Sequence, residues 1–119
     1  MPQAEPVGII GAGTFGTAMA NLLALNTEVL VFSRNAELVE QLRKDRFRFG
    51  VKLHDRVTVV NDFGQIAERC QLIFPIVPSN AFRAMMRQVT EYLEPRHVLI
   101  HGTKGFDITG LKVEDIPEK

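Results

Sequence analysis

Gly11-Ala12-Gly13-Thr14-Phe15-Gly16 follows directly on the apolar run Val7-Gly8-Ile9-Ile10 and leads into Thr17-Ala18-Met19-Ala20-Asn21-Leu22-Leu23. Strand, glycine-rich turn and helix in that order form the first half of a dinucleotide-binding βαβ unit. Gly11 permits the tight turn out of the strand. Gly13 has no Cβ, so the backbone there can approach a pyrophosphate closely, and Gly16 lets the helix pack tightly on the sheet. The helix N-terminus offers unpaired N–H groups and partial positive charge to phosphates. The same residues also fit a glycine-rich turn without a ligand. The strand before and the helix after favour dinucleotide binding.

The second apolar run, Glu28-Val29-Leu30-Val31-Phe32-Ser33-Arg34, reads as a buried parallel strand. NAD-specific sites place an acidic residue at this strand end, about 20 residues after the glycines, against the ribose 2′-hydroxyl. Here the positions hold Ser33, Arg34 and Asn35. A hydroxyl beside a guanidinium suits a 2′-phosphate, so NADP(H) is favoured over NAD(H) as cofactor. Arg34 is also placed to stack on an adenine face, or to sit simply at a solvated strand end.

A chain of 119 residues, 45% hydrophobic and 24% charged, suits one soluble domain with its own core. Zero formal net charge gives no reason to expect nucleic acid or a membrane surface as partner. The first six residues do not read as a signal peptide, and no apolar run approaches the ~20 residues of a membrane span. Cys70 is the only cysteine, which fits a reducing, cytoplasmic location and packing near the start of a strand.

Strand and helix patterns alternate throughout. A helix from Thr14 to about Leu25, with Asn26 as a left-handed stop, precedes the strand Glu28 to Ser33. Asn35 caps a helix through Arg43, and residues 45–55 read as irregular and basic. Val57 to Val60 is a short strand, and Asp62 caps the brief helix Phe63 to Arg69. The next strand, Leu72 to Val77, contains Pro75, which predicts a bulge or an unpaired position. Ser79 caps a helix whose Phe82, Met85, Met86, Val89 and Leu93 recur at core-packing intervals. Arg96 to Gly102 reads as a fifth strand. The expected fold class is α/β, a Rossmann-type doubly wound parallel sheet with helices on both faces.

Two more segments fall at carboxyl ends of strands, where open α/β sheets bind ligands. In Val77-Pro78-Ser79-Asn80, Pro78 stiffens the turn toward the crevice; an ordinary strand-to-helix turn fits equally. In Gly102-Thr103-Lys104-Gly105-Phe106, Lys104 can reach a phosphate or oxyanion, or can be a surface lysine in a glycine turn.

Together GAGTFGTAMA, VFSRN, IVPSNAFRAMM and HGTKGFD resemble the amino-terminal domain of bacterial NAD(P)-dependent glycerol-3-phosphate dehydrogenase, across nearly the whole chain. The VPS and TKG turns together are much more specific than the glycine fingerprint. The resemblance implies an oxidoreductase interconverting glycerol 3-phosphate and dihydroxyacetone phosphate by hydride transfer, in support of phospholipid biosynthesis. It implies cofactor contacts at Thr14 and Phe15, the adenosine 2′-phosphate beside Arg34, and Lys104 touching both nicotinamide side and substrate.

The segment Arg46 to Arg56 lacks the Leu-Pro pairs usual in the family, and Phe15 stands where tryptophan or tyrosine is commoner. The resemblance also places the general base, a lysine, on a second, helical domain that binds the substrate phosphate. Residues 1–119 are therefore expected to be the cofactor-binding domain, truncated ahead of that helical domain, without a catalytic residue and inactive alone. His97, at a strand entrance, is expected to be structural, His101 packed or capped, and His54 solvated. An exposed sheet edge offers a route to a homodimer. Other readings are the first domain of a ketopantoate reductase or 6-phosphogluconate dehydrogenase, or a non-catalytic NADP(H)-binding sensor or assembly module.

Overall fold

Short, mostly apolar runs of four residues supply the central strands, and amphipathic segments between them supply the covering layers. In the computed structural model the described residues are 5–77 and 79–100, Ser79 by its backbone alone. In chain order the elements are β1 (Val7–Ile10), α1 (Thr14–Leu23), β2 (Val29–Phe32), α2 (Ala36–Asp45), β3 (Phe47–Arg48), β4 (Val51–Lys52), β5 (Val57–Val60), α3 (Phe63–Arg69), β6 (Leu72–Pro75), α4 (Ser79–Val89), a 3₁₀ turn (Thr90–Tyr92) and β7 (Val98–Leu99). Five strands form one sheet in the order β5-β2-β1-β6-β7, every neighbouring pair parallel. The chain leaves β1 first toward β2 and later toward β6. That reversal makes the carboxyl ends of β1 and β6 the topological switch point, where ligands bind in such sheets.

Alternation along the strands divides the core in two. Ile9, Val29, Val31, Val57 and Val59 point to one face, where Ala20 and Ala24 of the α1 segment and Val39 and Leu42 of α2 cover them. Ile10, Leu30, Phe32, Val60 and Ile73 point to the other face, under Phe63, Ile66 and Ala67 of α3 and Met85 and Val89 of α4. The sheet is therefore doubly wound, as the pattern predicts. Phe82, Met86 and Leu93 pack against the second cluster, so the expected helical stripe is core.

Cap chemistry sets the helix limits. The Asn35 side chain accepts from the Leu38 N–H at 3.1 Å, and Asp62 accepts from the Gly64 N–H at 2.8 Å. Arg43 of α2 donates through Nε to the Val59 carbonyl at 3.0 Å, covering a carbonyl on the outer side of edge strand β5. The α1 helix stops at Leu23. Its cap, Ala24, stays right-handed, and Asn26 is not at positive φ, so the expected left-handed stop is corrected. The amides of Asn26 and Thr27 both bond back to the Leu23 carbonyl, ending the helix in a tightened turn instead.

Pro75 pairs in register with Ile10, without a bulge. The Ile76 amide donates to the Ile10 carbonyl at 2.8 Å, so strand alternation turns the Pro75 nitrogen to the opposite side, toward β7. Among the described residues β7 pairs with Leu72 and Ile73 and stops short of Pro75. The expected bulge is thus corrected, while the alternative of an unpaired position falls on the side facing residues beyond 100, which lie outside the described residues.

Residues 45–55 depart from the irregular loop expected. β3 and β4 form an antiparallel hairpin with Phe47 opposite Lys52 and Arg48 opposite Val51. Its turn residues, Phe49 (φ 55°) and Gly50 (φ 75°), both have positive φ, as a type I′ hairpin turn demands. A phenylalanine in that region is rare, which is why the pattern hides the turn. Asn21 of α1 anchors the hairpin base: its Nδ2 donates to the Lys52 carbonyl and its Oδ1 accepts from the His54 amide, both at 2.9 Å.

Candidate cofactor site at the glycine turn

Gly11 leaves β1 at φ 117°, and a Cβ on it would lie 2.3 Å from the Ile76 carbonyl oxygen. Only glycine fits both conditions. A Cβ on Gly16 would lie 2.3 Å from the Gly11 carbonyl oxygen, so close packing of α1 on the turn requires glycine there too. Gly13 differs. Its φ of −78° suits any residue, and a Cβ on it would meet nothing within 4 Å. The protein's own packing has no need of glycine at this position, and the space around it is open.

Gly13 is also the N-cap of α1, which has neither a side-chain cap nor an acidic residue in its first turn. The positive end of the helix dipole thus emerges at the open glycine. Thr14 and Phe15 begin the helix there, both exposed, with Phe15 at 39%.

The end of β2 brings Ser33 and Arg34 to the same crevice. Ile10, Gly11, Phe32, Ser33, Arg34 and Val77 line a cleft of about 230 Å³ whose far wall is Ala81, Ala84 and Met85 of α4. Ser33 Oγ accepts from the Asn35 amide at 3.1 Å, which leaves its hydroxyl proton to donate outward. Asn61, absent from the sequence reading, donates through Nδ2 to the Ser33 carbonyl at 2.9 Å and steadies this strand end from β5. Arg34 is exposed and makes no ion pair or hydrogen bond among the described residues.

Pro78 and Lys104 lie outside the described residues, as do His101 and the Gly102-Thr103-Lys104-Gly105 turn; the cap assigned to Ser79 rests on a side chain that also lies outside them. Gly11, Gly13, Thr14, Phe15, Gly16, Ser33 and Arg34 do converge on the carboxyl ends of β1 and β2, beside the switch point.

Over residues 6–118 the chain matches the family described as NAD-dependent glycerol-3-phosphate dehydrogenase N-terminus. The chain belongs to this family. A glycerol-3-phosphate dehydrogenase from Ectopseudomonas mendocina, named for NAD(P)+, is 35% identical over 118 residues, covering 95% of this chain and 34% of that protein. The chain thus spans about a third of the length of this curated relative. Among solved structures, glycerol-3-phosphate dehydrogenase from Coxiella burnetii superposes with a TM-score of 0.76 at 24% identity, covering 85% of this chain and 33% of its own. The enzyme from Saccharomyces cerevisiae gives 0.72 at 19% identity, covering 83% and 33%. These two likenesses establish the Rossmann-type fold, and the family is one of NAD(P)-dependent oxidoreductases.

The two described histidines of this family member, His54 and His97, bond to its own backbone. His97 Nδ1 accepts from the Glu94 amide at 2.8 Å, so Nε2 carries the proton and donates to the Ala67 carbonyl at 2.7 Å. This is the structural role expected of it. His54 is half-buried rather than solvated: its Nδ1 accepts from the Arg56 amide and its carbonyl accepts from Arg46. Cys70 is fully buried in the second core cluster, and loss of hydration pushes its thiol up to about 11, so it is unreactive packing. Among the described residues no cluster of side chains suits a metal ion, and no helix is long and apolar enough to cross a membrane.

Proposed function

We propose that these residues form the cofactor half of a glycerol-3-phosphate dehydrogenase, binding NADP(H) in preference to NAD(H). The observation that carries the reading is the open space over Gly13, at the uncapped positive end of α1. A pyrophosphate fits there because the backbone offers N–H groups and no Cβ obstructs them. The Ser33-Arg34 strand end and the Val77, Ala81 and Ala84 wall would hold the adenosine. Arg34 meets the 2′-phosphate with a planar, paired set of donors, and the Ser33 hydroxyl adds one more.

A nicotinamide bound beyond the pyrophosphate supplies the hydride donor or acceptor for interconverting glycerol 3-phosphate and dihydroxyacetone phosphate. Within this chain, Pro78 borders the cofactor and Lys104 takes the substrate side, holding positive charge near the developing oxyanion. The family resemblance supports the assignment of Lys104, and the position of the Val77-Pro78-Ser79 turn after a strand supports that of Pro78. Of the described histidines, His97 has both ring nitrogens engaged in the framework. The family resemblance places the base and the substrate-phosphate site on a further, helical part of the enzyme. The expectation that the 119 residues alone lack dehydrogenase activity follows from this division. A reading as a nucleotide-binding sensor shares every cofactor contact and differs only in lacking turnover. Homodimerisation through the β7 edge is a further proposal, which a monomeric sedimentation profile would dispose of.

The test is parallel calorimetric titration of the chain with NADPH and NADH, alongside Arg34→Ala. Tighter NADPH binding that falls to the NADH level in Arg34→Ala supports the site and the cofactor choice. Equal binding of both cofactors by the unaltered chain removes Arg34 from its role while keeping the site.

A further inference from the structure

One cation reaches the glycine turn from a part of the chain with no place in the dinucleotide motif. Arg48, in β3, donates through Nε to the Ala12 carbonyl at 2.8 Å, across 36 residues of sequence. Its guanidinium carbon stands 4.3 Å from the centre of the Phe49 ring, which lies beneath the charged plane. Asn21 fastens the base of the same hairpin to α1 from two sides. The arginine therefore arrives from a support fixed at its base, with its head flattened against an aromatic ring. That is an arrangement suited to holding one acceptor in one direction.

Ala12 stands between Gly11 and Gly13, the residue type with the fewest restrictions on backbone rotation. The Ala12–Gly13 peptide plane turns about the Ala12 Cα–C and Gly13 N–Cα bonds, and a glycine on one side eases that turn unless something holds the plane. The Ala12–Gly13 peptide is trans, so its carbonyl and the Gly13 N–H point in opposite directions. Fixing the carbonyl fixes the N–H. Pinning this plane before the ligand arrives removes an ordering cost that binding would otherwise bear.

We propose that Arg48 is a positioning residue for the dinucleotide's diphosphate: it pre-sets the Ala12–Gly13 peptide so that the turn's N–H groups stand ready for the phosphates. The inference rests on the dinucleotide reading of the site. Its ligand chemistry is the diphosphate bridge common to NADPH and NADH, which separates it from the 2′-phosphate role of Arg34.

The experiment compares the unaltered chain with Arg48→Ala, titrated with NADPH, NADH and 2′-AMP, which carries the adenosine and 2′-phosphate without the diphosphate. The expected result is an equal weakening of NADPH and NADH by about tenfold, with 2′-AMP unchanged (~1.4 kcal/mol by the affinity relation). A loss confined to NADPH, an equal loss for 2′-AMP, or unchanged dinucleotide affinity would each overturn it. Should Arg48→Ala fail to melt cooperatively, Arg48→Lys takes its place against the same three ligands. It keeps the charge and loses the planar Nε–H, and the same pattern of losses is expected. If the unaltered chain binds neither dinucleotide, the site reading itself fails; if it binds both and the variant binds them as tightly, only the role of Arg48 fails.

Discussion

A Cβ placed on Gly16 would stand 2.3 Å from the carbonyl oxygen of Gly11, and backbone cannot swing aside as a side chain can. Gly16→Ala is therefore expected to destabilise the chain by roughly 1–3 kcal/mol, the usual range for overpacking. Gly13→Ser should behave oppositely. Its φ of −78° and extended ψ suit a serine N-cap, which would raise stability by about 0.5 kcal/mol while filling the space proposed for the pyrophosphate. Urea unfolding beside NADPH titration checks the pair. Loss of stability in both variants, or undiminished NADPH binding by Gly13→Ser, would contradict the assignment of these two glycines.

Asn21 uses both ends of its amide on the hairpin base. Asn21→Asp keeps an acceptor for the His54 amide but turns a carboxylate toward the Lys52 carbonyl. A loss of about 1–2 kcal/mol is expected, with faster hydrogen exchange at the hairpin amides than at β1 or β2. Uniform exchange across the chain would show that the anchor is dispensable.

Cys70 gives stability a pH dependence of definite sign. With the thiol's ordinary value at 9.0 and the folded value at about 11, the unfolded chain loses its proton first as pH rises. The stability tied to the neutral thiol is present in full below pH 9 and lost between about 9 and 11, roughly 2–3 kcal/mol in all. In Cys70→Ala that part of the alkaline fall should disappear, whatever its effect at neutral pH. Denaturant midpoints taken from pH 7.5 to 10.5 measure it; parallel curves for the two proteins would refute the argument.

The sequence made the βα alternation legible because each strand is a short aliphatic run and two of the helices begin at side-chain caps, Asn35 and Asp62, that act as expected. The glycine turn was equally legible, since steric needs at Gly11 and Gly16 leave no other residue. The hairpin was not. Its strands have two residues each, and its turn sets Phe49 at φ 55°, where the usual signal is asparagine or aspartate before glycine. Arg48 was hidden for the same reason: its link to Ala12 spans 36 residues and has no spacing rule behind it. Asn61 likewise reaches Ser33 only through the pairing of β2 with β5.

Leu30 and Val31 are adjacent in the chain yet belong to different cores, one facing α3 and α4, the other facing α1 and α2. The sheet works as a bulkhead between two compartments. A void opened beside Val31 cannot be refilled by enlarging a neighbour of Leu30, so repair has to come from the same side. Either flank can diverge in sequence without reference to the other, except where the turn at Gly11 closes against Ile76 and joins them.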